Sequence, residues 1–246
     1  MHPRVLVTGS SRGIGRTIAE KLATSGWKVA LHGSRSSKEL EEAAVAIGDS
    51  LAGVYAYDLQ HPELADRLVE EVIGDGPLNA VVNNAGRYLP ISFLESSAND
   101  LIDNYRSTFN LNFEAPLRIC KAAVEHFEML GGGRILNVAS RVGFRGEAGA
   151  CMYSASKAAL INLTRALAVE LALKNIQTFG IAPGWVDTAM ARQGMDERLP
   201  AILEGIPLGR MASPEDCANA AEFLLNDRAV YLSGVVIDIN GASYFH

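Results

Sequence analysis

Short, continuous apolar runs alternate with amphipathic stretches along most of the chain. Arg4 to Thr8 (Arg-Val-Leu-Val-Thr) has the composition of a strand buried on both faces. A helical pattern runs from Arg16 to Ser25 and stops at Gly26, and Lys28 to Gly33 predicts the second strand. Lys38 to Ile47 reads as a helix, and Leu51 to Tyr57 as a third strand ending at Asp58. Pro62 to Ile73 predicts a helix with proline in its first turn, where the missing N–H costs little. Leu78 to Asn84 is strand four. A long helical tract follows from about Asn99 to Leu130, with a kink expected at Pro116 and a stop at Gly131-Gly132-Gly133. Arg134 to Ala139 is strand five, a helix opens at Tyr153, and Gln177 to Ala182 is strand six. Ser213 caps a helix from Pro214 to Leu225, and Val235 to Ile239 is the last strand. Residues 188–207 carry few strand signals. Strands alternating with helices predict an α/β fold, a parallel sheet covered on both faces. No repeat, low-complexity tract or Pro/Gly/Ser linker divides the chain, so one domain over 1–246 is expected.

Composition narrows the partners. The 246 residues can bury a sizeable core, and 48% hydrophobic with 20% charged residues is ordinary for a globular protein. A net charge of -6, with no basic runs, argues against nucleic acid. Cys120, Cys151 and Cys217 are far apart and form no C-x-x-C pair, which suits free thiols in a reducing compartment. The five histidines are scattered, so no metal site is expected. With no leader before the first strand and no long apolar run, a cytoplasmic protein with no membrane partner is expected.

Two stretches carry candidate chemistry. Tyr153 and Lys157 lie four apart on a predicted helix and so share a face. A phenol is a poor base at neutral pH, and a neighbouring ammonium would lower its pKa and make it a general acid–base. Alone, the pair reads more readily as a half-buried Tyr beside a solvated Lys. At the other end, Gly9-Ser-Ser-Arg-Gly13-Ile-Gly15 joins a strand to a helix, the geometry in which backbone amides and a helix N-terminus receive a phosphate. Gly9 to Gly13 also spells the G-x-S-x-G elbow of serine hydrolases. That reading fails because no earlier strand supplies an oxyanion hole, and the only histidine beyond strand six is the terminal His246.

Thr8-Gly9-Ser-Ser-Arg-Gly13-Ile-Gly15, Asn83-Asn84-Ala85-Gly86, Ser140, Tyr153-x-x-x-Lys157 and Pro183-Gly184 together resemble the marker set of the short-chain dehydrogenase/reductase family, in order over nearly the whole chain. The resemblance implies a Rossmann-like, doubly wound parallel sheet of about seven strands, NAD(H) or NADP(H) as hydride carrier, and a homotetramer. It implies cofactor contacts from Gly9, Ser11, Arg12, Gly13, Ile14 and Gly15, from Asp58 and Leu59, from Asn84, Ala85 and Gly86, from Tyr153 and Lys157, and from Pro183, Gly184, Val186 and Thr188. Strand two ends in Ser34-Arg35-Ser36 without the carboxylate that holds the ribose 2′-hydroxyl of NAD. Arg35 and Arg12 could pair with a 2′-phosphate, with Ser34 donating, so NADP(H) is preferred over NAD(H). The alternative is a solvated Arg35.

By the same resemblance, Ser140 holds the substrate oxygen, Tyr153 protonates it, Lys157 lowers the Tyr153 pKa and binds the nicotinamide ribose, and Asn112 anchors a relay water. Asn110 competes with Asn112, but the spacing to Ala115-Pro116 favours Asn112. Residues 188–207 would be the substrate lid. The C-terminal run from Gly209 resembles the 3-oxoacyl-acyl-carrier-protein reductase branch, which implies an NADPH-dependent reduction of a 3-oxoacyl thioester in fatty acid biosynthesis, possibly delivered on acyl carrier protein. Gly131-Gly132-Gly133 replaces basic residues expected for carrier docking, leaving Lys174 and Arg134 nearby. Arg141, Phe144, Arg145 and Glu147 form a charged wall between Ser140 and Tyr153, readable as substrate contacts or as solvated loop, and the aromatic tail to His246 is expected at a subunit interface. The alternatives are a polyol, sugar or other alcohol dehydrogenase of the same family, or a non-catalytic dinucleotide-binding sensor.

Overall fold

The computed structural model describes residues 2–192 and 198–246. Seven parallel strands form one sheet in the order β3-β2-β1-β4-β5-β6-β7. They are β1 (Arg4–Val7), β2 (Lys28–Gly33), β3 (Leu51–Ala56), β4 (Ala80–Asn83), β5 (Gly133–Val138), β6 (Ile176–Pro183) and β7 (Val236–Ile239). The chain's apolar runs are explained by this order. β1, β4 and β6 are buried throughout, while β3 and β7 at the sheet edges are only partly covered.

Successive residues point to opposite faces. Val5 and Val7 enter one core with Ile18, Leu22, Leu40 and Leu224. Leu6 enters the other with Leu68, Val72, Ile119 and Phe127. The first core lies under α1 (Gly13–Thr24), α2 (Lys38–Ile47) and, further along the chain, the helix Pro214–Leu224. The second lies under α3 (Leu64–Gly74) and the helix Ala115–Leu130. Ser213 caps the Pro214 helix in a reciprocal box with Asp216, as its spacing predicts.

Several boundaries differ from the pattern: α3 begins at Leu64 with Glu63 as its N-cap, so Pro62 precedes the helix and does not sit in its first turn, and β4 is shorter than expected. α1 begins at Gly13 rather than Arg16, because the glycine turn itself supplies the first helical turn. The long tract divides into α4 (Ala98–Phe109), a π-helical turn (Asn110–Glu114) and α5 (Ala115–Leu130). The irregularity therefore falls one turn before Pro116. An unbroken helix would pair the Asn112 carbonyl with the N–H of residue 116, and proline has none. The remaining helices are α6 (Cys151–Glu170), α7 (Ala189–Arg192), α8 (Leu199–Glu204) and α9 (Pro214–Leu224). Cys120 and Cys217 are buried thiols, and among the described residues no helix is long and apolar enough to cross a membrane.

The sheet reverses its winding between β1 and β4. At their carboxyl ends a crevice opens where an open α/β sheet binds its ligands. The glycine turn leaves β1 on one side of it, and Asn84-Ala85-Gly86 leaves β4 on the other.

Candidate active site

A cavity of about 620 Å³ fills this crevice. Every cofactor residue expected from the sequence lines it except Arg35, which is exposed beside it. Gly9 and Gly13 have φ of 64° and 56°, so the turn can reverse without a side chain in the way. A Cβ on Gly9 would stand 3.0 Å from the Ala85 Cα. One on Gly15 would overlap the Asn84 side chain and the Gly9 carbonyl oxygen. The turn and the β4 loop are thus packed backbone to backbone, tied by Asn84 Nδ2 donating to the Thr8 and Gly9 carbonyls at 2.8 and 3.2 Å. Gly15→Ala is expected to cost about 1–3 kcal/mol by overpacking and to weaken dinucleotide binding, read by urea unfolding and cofactor titration.

The N-terminus of α1 has neither a side-chain cap nor an acidic residue in its first turn. Its free N–H groups and positive dipole end face the cavity, as an anion site requires. Arg12 lines the cavity, and neither its guanidinium nor that of Arg35 makes a hydrogen bond or ion pair among the described residues. Both lie close enough to help hold the Glu39 carboxyl below its usual range, mainly set by its own backbone amide and Ser37.

His32 escaped the sequence reading. It is a polar residue at the buried carboxyl end of β2, 2% exposed at the cavity floor. Its Nδ1 accepts from the Gly9 amide at 3.2 Å and its Nε2 faces the Tyr57 carbonyl at 2.9 Å, which assigns the proton to Nε2. It ties the phosphate-cradling turn to the end of β2 and the loop after β3.

Ser140, Tyr153 and Lys157 meet at the other end of the cavity. Ser140 follows β5, its hydroxyl accepting from Val142 N at 3.4 Å and near the Pro183 carbonyl at 3.5 Å. Tyr153 and Lys157 share a face of α6, the Lys157 Nζ lying 5.8 Å from the phenol ring centre. That ammonium donates to the Val138 carbonyl at 2.8 Å, at the last residue of β5. Burial pushes the Tyr153 phenol up to about 12; a bond to Ser140 pulls the other way, and the Tyr88 and Glu147 charges add to the rise. Burial also brings Lys157 down to about 8. Burial is the largest of these effects on the phenol.

Asn112 stands behind the cavity wall, fully buried. Its Oδ1 accepts from Arg87 N at 2.9 Å and its Nδ2 donates to the Arg87 carbonyl at 3.0 Å and to Ser156 at 3.2 Å. A Cβ on Gly86 would approach Asn112 Oδ1 to 3.2 Å and Lys157 Nζ to 3.5 Å, so glycine there keeps the three together. The competing Asn110 turns away to the Gln60 carbonyl.

The charged wall is not solvated loop throughout. Arg141 is buried and ion-paired with Glu147, which lines the cavity, and its other arm donates to Ser243 at 2.9 Å. Phe144 stacks on His246 at 3.7 Å, so the tail packs within its own chain, with only Phe245 of its aromatics strongly exposed. The expected lid is described in part. α7 and α8 fold with Trp185, Ile206 and Met211 into a small apolar cluster, and residues 193–197 lie outside the described residues.

Residues 3–198 match the family model for the short chain dehydrogenases. The chain belongs to that family. Among curated short-chain dehydrogenases it is 38% identical over 244 residues to a 3-oxoacyl-acyl-carrier-protein reductase of Aquifex aeolicus, covering 97% of this chain and 96% of that one. Its fold is similar, at TM-score 0.91 and 33% identity, to a Beutenbergia cavernae protein described as an NAD(P)-dependent gluconate 5-dehydrogenase with bound NADP at low occupancy, covering 98% and 96% of the two chains. It is similar at TM-score 0.89 and 28% identity to a Brucella melitensis 3-ketoacyl-acyl-carrier-protein reductase complexed with NADH, covering 99% and 98%. This short-chain dehydrogenase is therefore an oxidoreductase whose relatives bind either nicotinamide dinucleotide.

Proposed function

We propose that this oxidoreductase reduces a ketone to a secondary alcohol with NADPH, acting on a 3-oxoacyl thioester. The observation that carries it is the convergence of Ser140, Tyr153 and Lys157 on the same cavity as the uncapped α1 N-terminus. Gly13, Ile14 and Gly15 bring the uncapped N-terminus of α1 to the cavity, which fits the phosphates of a dinucleotide. Bound there, the dinucleotide supplies the hydride. Ser140 holds the carbonyl oxygen, and the protonated phenol of Tyr153 donates to that oxygen as negative charge develops on it. Lys157, anchored on Val138, holds the nicotinamide ribose and keeps a positive charge beside the phenol. Asn112 would anchor the water that returns the proton, while its side chain holds the Arg87 loop.

NADPH is favoured because no carboxylate ends β2 and two unpaired guanidinium groups flank the adenosine end. Cofactor titration is expected to give NADPH at least about tenfold tighter than NADH. Arg12→Ala should erode that ratio more than Arg35→Ala, because only Arg12 lines the cavity. Equal affinities would remove the argument. The thioester is proposed from the relatives' activity, and turnover of an acetoacetyl thioester with NADPH tests it. Lys174 is paired with Glu128 and Arg134 with Asp227, so a carrier protein would compete with acids already in place. A homotetramer is the assembly proposed, and exposed Ile102, Tyr105 and Leu117 on α4 and α5 would suit one of its interfaces.

A further inference from the structure

Beside the proposed acid the cavity wall carries a carboxylate that the chemistry of ketone reduction does not require. Glu147 lines the cavity with a side chain only 26% exposed. One oxygen, Oε1, is taken by Arg141. The other, Oε2, receives no hydrogen bond among the described residues. Arg141 cannot swing away to leave a mobile acid. It is 6% exposed and held through its second arm by Ser243, on a tail fixed in turn by Asn240 bonding the Tyr244 carbonyl at 2.9 Å. The carboxylate is therefore an oriented group whose second oxygen is free to accept a hydrogen bond. Its charge reaches both Tyr88 and Tyr153, which places it within electrostatic range of the reacting oxygen.

We propose that Glu147 is a specificity-determining residue that accepts a hydrogen bond from an N–H or O–H group of the substrate close to its reacting carbonyl. The inference rests on the ketone-reductase reading. A plain alkyl ketone would cover Oε2 with methylene and leave a half-buried oxygen short of a donor, the situation in which sites reject an analogue most strongly. Two sources offer the same chemistry: a hydroxyl on the carbon beside a small polar ketone, or the amide N–H in the arm of a pantetheine-type thioester. Arg141 is the positioning residue, acting only through the carboxylate.

Two matched pairs test this with NADPH on the full chain. Hydroxyacetone against butanone differs by a hydroxyl for a methyl, and acetoacetyl-N-acetylcysteamine against S-butyl acetoacetate differs by the amide. In at least one pair the wild type should favour the donor-bearing member by about tenfold or more in kcat/KM, and which pair responds names the source. Glu147→Leu should bring that ratio to within about threefold, while Glu147→Gln, which keeps an oxygen acceptor, should retain most of it. Arg141→Met should lower the ratio and Arg141→Lys partly restore it. Ratios are taken within each variant, so a general loss of activity or folding cancels. A wild type without preference in either pair, or a preference that survives Glu147→Leu, overturns the role of Glu147. Failure of the wild type to reduce any of the four compounds overturns the ketone-reductase reading, and this inference with it.

Discussion

Tyr153→Phe is expected to lower kcat by about 10²–10⁴-fold while changing the affinity for NADPH less than about twofold. The substitution removes one oxygen and leaves the ring, which packs edge-on against Tyr88 at 5.2 Å and covers Lys157. The fold should not notice, since the hydroxyl bonds only Ser140 within the site. What disappears is the proton. With its pKa raised to about 12 by burial, the phenol is protonated across the neutral range, which is the form a reduction needs. The same elevation makes it a reluctant base, so alcohol oxidation should speed up with rising pH while ketone reduction does not share that limb. Steady-state rates in both directions, with a thermal melt to confirm folding, measure this. A Phe variant with wild-type turnover would take Tyr153 out of the proton-transfer step.

The architecture was legible because burial leaves its mark on sequence. Continuous apolar runs at Arg4–Val7 and Ile176–Pro183 match strands covered on both sides, and the α2 boundaries coincide with the predicted ones. Site residues tied to turns were legible for a similar reason, since positive φ at Gly9 and Gly13 restricts those positions to very few residue types. Electrostatics were not legible. Helical spacing places Lys157 beside Tyr153 but does not show how much protein surrounds the phenol, nor that the Val138 carbonyl engages the ammonium. The Arg141–Glu147 pair was visible only as two charges in a loop, because the partner that buries Arg141 lies at Ser243, at the far end of the chain. The π-helical turn required knowing that Asn112 must reach the Arg87 backbone. Pro116 marked the irregularity without locating it.

Acid should destabilise the fold through His32 well before the carboxylates protonate. Burial is the main cause of its pKa falling from 6.5 to about 4, against smaller opposing effects of the Tyr57 carbonyl and Asp58. A depressed folded-state pKa means that between pH 6.5 and 4 the unfolded chain binds the proton and the folded one does not. The stabilisation is complete above 6.5 and is lost as pH falls through that window, by about 3 kcal/mol in all. His126, also depressed by burial, adds to the same limb. Urea unfolding across that range, compared with His32→Asn, isolates the His32 share, because His126 is common to both proteins. Asn keeps an acceptor near the Nδ1 position for the Gly9 amide but does not titrate. The wild type should therefore lose stability faster on acidification, while the cofactor affinity of the folded protein should hold down to about pH 4 and fall only below it, where a protonated Nδ1 can no longer accept from Gly9 and the glycine turn loses its tie to β2. Parallel profiles would mean that His32 carries its proton in the folded state, and the tautomer assigned from Gly9 and Tyr57 would be wrong.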